Sequence, residues 1–257
     1  MLSVIIITKN EQAHITECIQ SVAFADEIIV LDSGSTDNTC ALARAMGAQV
    51  YHTTHWPGFG PQKNKALELA THDWVLSIDA DERVPHAMAE HIQQVLQNPQ
   101  ADAYTVARLS CFGGRWIKHS GWWPDRLVRL FKRDKGRFKD VAVHESVIVQ
   151  GLTQDLQAHL LHYPYDSLET LINKTNQYSS AAAQQLHDKG KTIGIFGIMA
   201  KAFWTFVRIY LIRRGFLDGK EGFILATVAS AGSFFRYSKL WLLNRKTNWK
   251  PEPPASQ

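Results

Sequence analysis

Three acidic residues follow a short apolar run about a third of the way along the chain. The run spans residues 74–78, and Asp79, Asp81 and Glu82 come directly after it. An apolar run of this length, bounded by polar residues, predicts a strand buried in a parallel sheet. Carboxylates at its end are costly unless they face donors, solvent or a cation. Such oxygen ligands suit Mg²⁺ or Mn²⁺, although an ordinary acidic turn is the alternative.

Strand and helix signals alternate through the first hundred residues, which predicts a parallel sheet with right-handed crossovers. Strands are predicted at Leu2–Thr8, Glu27–Asp32, Ala48–His52 and Trp74–Asp79. One helix is predicted at Glu11–Val22 with Asn10 as its N-cap. A second is predicted at Thr36–Met46, with Ser35 as its N-cap and Gly47 ending it. A third is predicted from about Pro61 to Thr71. No GxGxxG motif follows the first strand, which argues against a dinucleotide-binding fold.

Polar residues cluster where these strands end. Thr8, Asn10 and Glu11 follow the first strand, Asp32 ends the second, and Asp79 ends the fourth. Because ligands bind at the carboxyl edge of open α/β sheets, these groups are expected to converge there. Each of them alone is explained as a helix cap, but together they indicate a nucleotide site, with Asp32 contacting the base or the ribose.

Composition limits the class of protein. With 257 residues, 45% of them hydrophobic, one large α/β domain with an appendage is expected. Residues 1–188 carry 16 Lys/Arg against 21 Asp/Glu, whereas residues 189–250 carry 12 against 2, so the basic character belongs to the C-terminal segment. Three scattered cysteines indicate a reducing compartment, and the N-terminus shows no secretory signal.

Four motifs in order resemble a family 2 glycosyltransferase with a GT-A fold: residues 4–11, residues 30–37, Gln62-Lys63-Asn64, and residues 79–82. The resemblance implies a nucleotide-diphospho-sugar donor, a divalent metal (Mg²⁺ or Mn²⁺), and transfer with inversion.

The resemblance also implies roles for individual residues. The nucleoside pocket would be lined by Thr8, Asn10, Glu11 and Asp32. Lys63 stands where the family usually has Arg, near the base or the diphosphate. Asp79 would face the ribose or the sugar, and Asp81 would bind the metal. The common double Asp of the family is Asp32-Ser33 here, so one donor contact differs.

A narrower resemblance rests on residues 56–64, Trp123-Pro124-Asp125 and Val143-His144-Glu145. These segments are similar to the inner-core β-1,4-glucosyltransferases of Gram-negative lipopolysaccharide or lipooligosaccharide. That similarity implies UDP-glucose as donor and a heptose of a lipid-linked core as acceptor. One alternative is transfer to a polyprenyl phosphate or another lipid-linked glycan. A second is a non-catalytic protein that binds nucleotide sugars or membranes.

Inverting transfer needs a carboxylate that takes the proton from the attacking hydroxyl. Asp125, Asp140 and Glu145 are the candidates, and Glu145 is preferred because the family group carries its acidic base motif there. A salt bridge to a nearby Arg is the alternative role. His162 ends a predicted strand at Leu156–His162, where many GT-A enzymes place a further metal ligand. A packing role for His162 is the alternative.

Three tryptophans in Gly-rich segments have two possible roles. Trp116, Trp122 and Trp123 either stack on sugar rings or pack the second half of the sheet, which continues with a strand at Ala103–Leu109.

The C-terminal region predicts helices on a membrane. A polar helix is predicted at Leu168–His187, followed after Gly190 and Gly194 by two apolar helices bordered by basic residues. The longest uncharged stretch, 222–235, has 14 residues, whereas a spanning helix needs about 20. Two interfacial helices on anionic headgroups are therefore expected, with a packed hairpin as the alternative. Nucleic-acid binding is disfavoured because the basic region is too apolar and lacks an RRM or OB pattern.

The predicted architecture is thus α/β with a GT-A fold, a Rossmann-like, mostly parallel sheet flanked by helices, and a C-terminal α-helical extension that associates with a membrane. The catalytic domain is predicted at 1–165, with a nucleotide-sugar half at 1–100 and an acceptor half at 101–165. The helical region is predicted at 166–250 and a tail at 251–257. A peripheral position on the cytoplasmic face of the inner membrane is expected, with contact through residues 190–246.

Overall fold

The computed structural model describes residues 1–139 and 146–245, and the chain divides into two compact units. The first unit comprises residues 1–111 and 123–164, and the second comprises residues 112–122 and 165–257. The strands are β1 (Leu2–Thr8), β2 (Glu27–Asp32), β3 (Gln49–His52), β4 (Trp74–Asp79), β5 (Glu82–Arg83), β6 (Ala103–Phe112), β7 (Arg115–Trp116), β8 (Asp125–Lys132), β9 (Gly136–Phe138), β10 (Val147–Val149) and β11 (Thr153–His162). The α-helices are α1 (Ile15–Ser21), α2 (Thr39–Ala45), α3 (Phe59–Leu69), α4 (His86–Gln97), α5 (Leu168–Asp188), α6 (Ile195–Val207) and α7 (Gly219–Asn244).

Eight strands of the first unit lie side by side in the order β3-β2-β1-β4-β8-β6-β11-β5. The first four are parallel to one another, with β1 between β2 and β4. Strand β8 runs antiparallel to both β4 and β6, and β11 is parallel to β6. The parallel half therefore presents the carboxyl ends of β1, β2 and β4 along one edge, where open α/β sheets bind ligands.

Strand β1 is buried on both faces, as a central strand of a parallel sheet must be. Val4 and Ile6 pack in one hydrophobic cluster with residues of α1 and α4, whereas Ile5 and Ile7 pack in a second cluster with residues of α3. Because successive side chains of a strand point to opposite faces, the strand contributes residues to two hydrophobic cores, one on each side of the sheet. This explains why the N-terminal strand has no polar alternation.

The predicted fold class is confirmed: a mostly parallel sheet flanked by helices is followed by a helical C-terminal region. The predicted bounds of β1, β2 and β4 are also confirmed. The predicted starts of the first two helices were wrong, because α1 begins at Ile15 and α2 at Thr39.

Asn10 and Ser35 do not cap these helices. The backbone of Asn10 is left-handed, with φ of 57°, and its side-chain oxygen accepts a hydrogen bond from the Thr36 amide at 2.8 Å. The Ser35 hydroxyl donates to Asp32 and accepts from the Asn10 amide at 2.8 Å. Both side chains therefore tie the loop after β1 to the loop after β2.

The second unit contains the three long helices of the C-terminal region. Ser167 caps α5 by accepting a hydrogen bond from the Thr170 amide at 3.1 Å. A π-helical turn at Arg208–Ile212 continues α6, and a 3₁₀ turn at Gly215–Asp218 leads into α7. Gly222 is required there, because a Cβ at this position would lie 1.9 Å from the carbonyl oxygen of Gly215.

Residues 112–122 fold with these helices. Phe112, Ile117, Leu171 and Leu225 form the small apolar core of the unit. The buried carboxylate of Asp218 accepts hydrogen bonds from the amides of Lys118 and His119 and from the Ser120 hydroxyl at 2.7 Å. The His119 ring nitrogen Nδ1 also lies 3.1 Å from this carboxylate. A buried carboxylate is stable when several donors satisfy it, so Asp218 anchors this segment.

One stretch of the described residues, Ile195–Ile212, is long and apolar enough to cross a membrane by length and composition alone, and it is almost entirely exposed.

Candidate functional site

The carboxyl edge of the parallel strands brings the predicted donor residues together. Thr8 is the register partner of Asp32, and Ile7 is the register partner of Asp79, so the ends of β2, β1 and β4 are immediate neighbours. The Ser33 amide, directly after Asp32, donates to the Thr8 carbonyl oxygen at 3.0 Å. Residues separated by more than seventy positions in sequence thus share one edge.

Asp32 is buried and held in a tight loop. Its carboxylate accepts hydrogen bonds from the amides of Gly34 and Ser35, both at 2.9 Å, and from the Ser35 hydroxyl. Burial alone would raise the pKa of Asp32, but these hydrogen bonds outweigh it and lower the pKa below its ordinary value. The group is therefore a fixed acceptor at neutral pH.

Asn10 and Glu11 lie in the loop that follows β1. The Glu11 amide donates to the Thr39 hydroxyl at 2.8 Å, which fixes the loop against the start of α2. Asn10 is exposed, whereas Glu11 is partly buried. Both are near Asp32 through the loop contacts of Ser35 and Thr36, as a shared pocket requires.

Helix α3 contributes Gln62, which the sequence prediction did not assign to the site. Its side-chain amide donates to the hydroxyls of Ser33 at 2.9 Å and Thr53 at 2.8 Å. Gln62 is fully buried, yet its carbonyl oxygen has no hydrogen-bond partner among the described residues, and the same holds for the Thr8 hydroxyl. Unsatisfied buried polar atoms cost about 1–3 kcal/mol each, and a bound polar ligand would recover this energy.

Asp79 is neutralised by two cations. Its two oxygens lie 2.8 Å from the Lys63 ammonium and 2.8 Å from the Arg129 guanidinium. Burial would raise the pKa of Asp79, but Lys63 and then Arg129 outweigh it and hold the pKa well below its usual range. Lys63 itself is buried, and its ammonium group forms an ion pair with Asp79. Its predicted contact with the base or the diphosphate stays a prediction.

Glu82 extends this ion-pair network. It is fully buried and accepts from the Asp79 amide at 2.9 Å, from Arg129 at 2.6 Å and from Arg108 at 3.3 Å. Arg108 also forms two bonds to Asp125, at 3.0 and 2.6 Å. Sequence analysis singled out Glu82 with the acidic residues but missed its partners Arg108 and Arg129, because isolated charges on strands β6 and β8 carry no local signal of their partners.

Asp81 and His162 form a pair suited to a divalent cation. A carboxylate oxygen of Asp81 lies 3.4 Å from Nε2 of His162, and Nδ1 of His162 is 2.9 Å from the Ser110 hydroxyl. Adjacent ligands of an octahedral ion with bonds of about 2.1 Å are roughly 3 Å apart. The Ser110 contact orients the ring, a common arrangement for metal-binding histidines. The donor set therefore fits Mg²⁺ or Mn²⁺, with Asp81 and His162 as ligands and Asp79 occupied by cations.

A second cluster contains side chains of types that bind metals, but its histidine is engaged in hydrogen bonding instead. Ligand atoms of Asp32, Cys40 and His52 lie within 4.8 Å of one another. Arg44 donates to Nε2 of His52 at 2.8 Å, and because arginine is only a donor, the neutral ring carries its proton on Nδ1. That proton faces Asp32 at 3.4 Å, so the nitrogen next to the carboxylate is a donor rather than a ligand.

Of the three candidate bases, the structure describes one. Asp125 lies at the start of β8, is partly exposed, and is held by Arg108. Asp140 and Glu145 lie outside the described residues, so the preference for Glu145 stays a prediction.

The tryptophans are distributed between the two units. Trp123 contacts His159 edge-on in the first unit, and Trp122 packs against Tyr165 in the second. Trp122 therefore has the packing role that was one of its two predicted roles, and it lies against the core of the second unit.

A family model and similar proteins both match this chain to glycosyltransferases. The family described as glycosyl transferase family 2 matches residues 3–154. An uncharacterized glycosyltransferase of Rickettsia prowazekii (strain Madrid E) is 33% identical over 96% of this chain and 88% of its own length. The lipopolysaccharide core biosynthesis glycosyltransferase LpsC of Rhizobium meliloti (strain 1021) is 31% identical over 93% of this chain and 92% of its own length.

Among solved structures, the chain is similar to glucosyl-3-phosphoglycerate synthase from Mycobacterium tuberculosis, crystallised with Mn²⁺, UDP and glucosyl-3-phosphoglycerate. The TM-score is 0.47 at 21% identity, over 76% of this chain and 81% of that one.

The low pKa of Asp79 predicts a specific loss of stability in acid. Because the folded-state pKa lies below the ordinary value of about 3.9, the unfolded chain binds more protons in acid. The contribution of Asp79 is complete above that value and is lost as the pH falls toward the folded-state pKa. Urea unfolding at a series of pH values below about 4 will therefore show a steeper decline for the wild type than for Asp79→Asn. The difference will be at most about 1.4 kcal/mol per pH unit.

The exposed turn residue Asp134 supplies the control for this measurement. Asp134→Asn will keep the wild-type slope, and identical slopes for the wild type and Asp79→Asn would contradict the assigned charge pairing.

Proposed function

Because the chain belongs to glycosyl transferase family 2 and is a glycosyltransferase, we propose that it transfers glucose from UDP-glucose to a heptose of a lipid-linked lipopolysaccharide inner core. The observation that carries the proposal is the carboxyl-edge site. It combines a fixed acceptor at Asp32, unsatisfied polar atoms on Thr8 and Gln62, and the pair Asp81 and His162. The relative named for lipopolysaccharide core biosynthesis supports the acceptor class.

A nucleoside diphosphate matches the chemistry of this edge. Asp32 is an anionic acceptor for ribose hydroxyls or for the N–H of a uracil, and the loop after β1 adds Asn10 and Glu11. The Thr8 hydroxyl and the Gln62 carbonyl oxygen are both buried without a partner among the described residues, so a base or a ribose can satisfy them. These five residues form the proposed nucleoside pocket.

The proposed reaction is a direct displacement with inversion. The acceptor hydroxyl attacks the anomeric carbon, Glu145 takes its proton, and the electron pair of the breaking C–O bond leaves with UDP. A divalent metal held by Asp81 and His162 would supply charge stabilisation for the diphosphate. Asp79 stays ionised throughout because Lys63 and Arg129 fix its charge.

We place the enzyme at the cytoplasmic face of the inner membrane as a peripheral protein. The C-terminal unit exposes large apolar side chains, among them Phe196 and Phe203, which a lipid surface would cover. Lys201 and Arg208 lie within the apolar stretch Ile195–Ile212, and a charge at the centre of a spanning helix costs about 2.5–3.5 kcal/mol. Contact along the interface is therefore favoured over crossing it.

Donor binding will be visible as thermal stabilisation. UDP-glucose with Mn²⁺ will raise the melting temperature of the full chain more than GDP- or CMP-sugars do. Asp81→Ala and His162→Ala will lose the metal-dependent part of the shift, because each removes one proposed ligand. Asp125→Asn, which changes a carboxylate outside the metal pair, will keep that part. A full metal-dependent shift in Asp81→Ala would contradict the metal site.

The acceptor is tested by transfer of radiolabelled glucose to two lipids. Lipopolysaccharide truncated to its inner-core heptoses will accept the label, whereas a polyprenyl phosphate will not. Labelling of polyprenyl phosphate alone would instead support the alternative acceptor. Metal-dependent donor binding without transfer to any lipid-linked glycan would favour a non-catalytic role.

Glu145→Gln will lower turnover about 10²- to 10⁴-fold, because the amide cannot take the proton of the acceptor hydroxyl. Affinity for UDP-glucose, measured by calorimetry, will stay within about twofold. Asp140→Asn and Asp125→Asn are matched carboxylate-to-amide controls and will retain most of the activity. Near-normal turnover in Glu145→Gln, with a large loss in one of the controls, would assign the base to that control residue.

A further inference from the structure

A solvent-open groove lies within the second unit, between helices α5, α6 and α7. Its volume is about 500 Å³, and each of the three helices contributes side chains to its wall. The π-helical turn that follows α6 contributes Arg208 and Ile209. Turns of this kind are rare and occur often at functional sites. All residues that line the groove belong to the second unit, whereas all described residues of the proposed donor site belong to the first.

The charge in this groove is entirely positive. Lys201 and Arg208 are seven residues apart, about two helical turns, and Arg236 reaches the same groove from α7. No aspartate or glutamate lines the groove, and within residues 1–139 and 146–245 none of these three cations forms an ion pair with a carboxylate. Three unneutralised cations around one cavity create a local positive potential that attracts an anion.

Neutral donors and close packing complete the wall. Tyr178, Trp204 and Tyr237 line the groove and carry O–H or N–H groups that suit phosphate oxygens. The side of the groove between α5 and α7 is narrow, because Gly232 lets the helices approach closely. A Cβ at Gly232 would lie 2.6 Å from the methyl group of Thr175. The groove is therefore a shaped cleft and not only a charged surface.

The surroundings of the groove indicate where its ligand resides. Phe196, Phe203, Leu211 and Ile212, on α6 and the π-helical turn, are each more than half exposed. Trp204, half-exposed, belongs both to this apolar surface and to the groove wall. An apolar surface next to cations and amphipathic aromatic residues is the pattern of a segment at the boundary between acyl chains and headgroups.

We propose that this groove binds the phosphate headgroup of an anionic membrane lipid through Lys201, Arg208 and Arg236, while the adjacent apolar side chains of α6 enter the lipid surface. The inference deepens the membrane contact proposed above, since it assigns that contact to a defined groove. A phosphate is preferred over a carboxylate because it offers more acceptor oxygens to cations that reach it from two helices.

The test measures binding of the full chain to vesicles by flotation. Phosphatidylcholine vesicles containing phosphatidic acid, which presents an accessible phosphate, are compared with vesicles containing oleic acid at matched surface charge. The groove variant combines Lys201→Gln, Arg208→Gln and Arg236→Gln. The control variant combines Lys189→Gln, Lys191→Gln and Lys220→Gln, which removes the same charge from exposed positions of the same unit that do not line the groove.

The wild type is expected to bind phosphatidic acid vesicles about tenfold more tightly than oleic acid vesicles. The groove variant should lose on the order of 100-fold in affinity for phosphatidic acid, since each Lys or Arg near an anionic surface contributes about 1 kcal/mol. The control variant should lose less than about tenfold. Thermal melting of all three proteins checks that the exposed substitutions leave the fold intact.

Three results would overturn the inference, and they differ in meaning. Equal losses in the two variants would show diffuse electrostatic attraction rather than a groove. Saturable binding of inorganic phosphate without vesicles, detected as a fluorescence change that disappears in Trp204→Phe, would assign the groove to a soluble phosphate. Absence of wild-type binding to every vesicle would also overturn the membrane contact, whereas the donor and acceptor assays would remain independent of it.

Discussion

The pairing of buried charges around Asp79 is the constraint on which the first unit depends. Asp79 and Glu82 bring two carboxylates to the end of a buried strand, and Lys63, Arg108 and Arg129 bring three cations from α3, β6 and β8. Removing one partner of a buried pair leaves an uncompensated charge, which costs about 3–5 kcal/mol. The same contacts join helix α3 to strands in both halves of the sheet. The ion pairs therefore depend on the fold, and they stabilise it in turn.

This pairing gives the two aspartates of the acidic motif different surroundings. Asp79 is committed to Lys63 and Arg129, whereas Asp81, two residues later, faces His162. Residues two apart in a continuous strand lie on the same side, but β4 ends at Asp79, and the turn that follows it directs Asp81 elsewhere. One aspartate of the motif therefore lies in an ion-pair network, and the other lies next to a histidine.

The two units differ in how particular cations are accommodated. In the first unit Lys63 and Arg129 are buried in ion pairs, and hydrophobic clusters cover both faces of the sheet. The second unit leaves Lys201, Arg208 and Arg236 without carboxylate partners among the described residues, next to exposed aromatic side chains. Unneutralised charge and uncovered apolar area are both costly in water, and both favour a surface that supplies anions and hydrocarbon.

The sequence pattern was sufficient to predict strands β1, β2 and β4 and the sheet edge at which their polar ends meet. Strands β1, β2 and β4 are predominantly apolar, as burial on both faces requires, and Thr8, Asp32 and Asp79 stand at their ends. The contacts of these groups depend on tertiary packing, which the sequence pattern does not show. Local pattern suggested caps for Asn10 and Ser35, but contacts between loops more than twenty residues apart compete with capping. The partners of Asp79 lie on other elements. The pairing of β4 with β8 brings Arg129 to it, and the packing of α3 brings Lys63, and local propensity encodes neither.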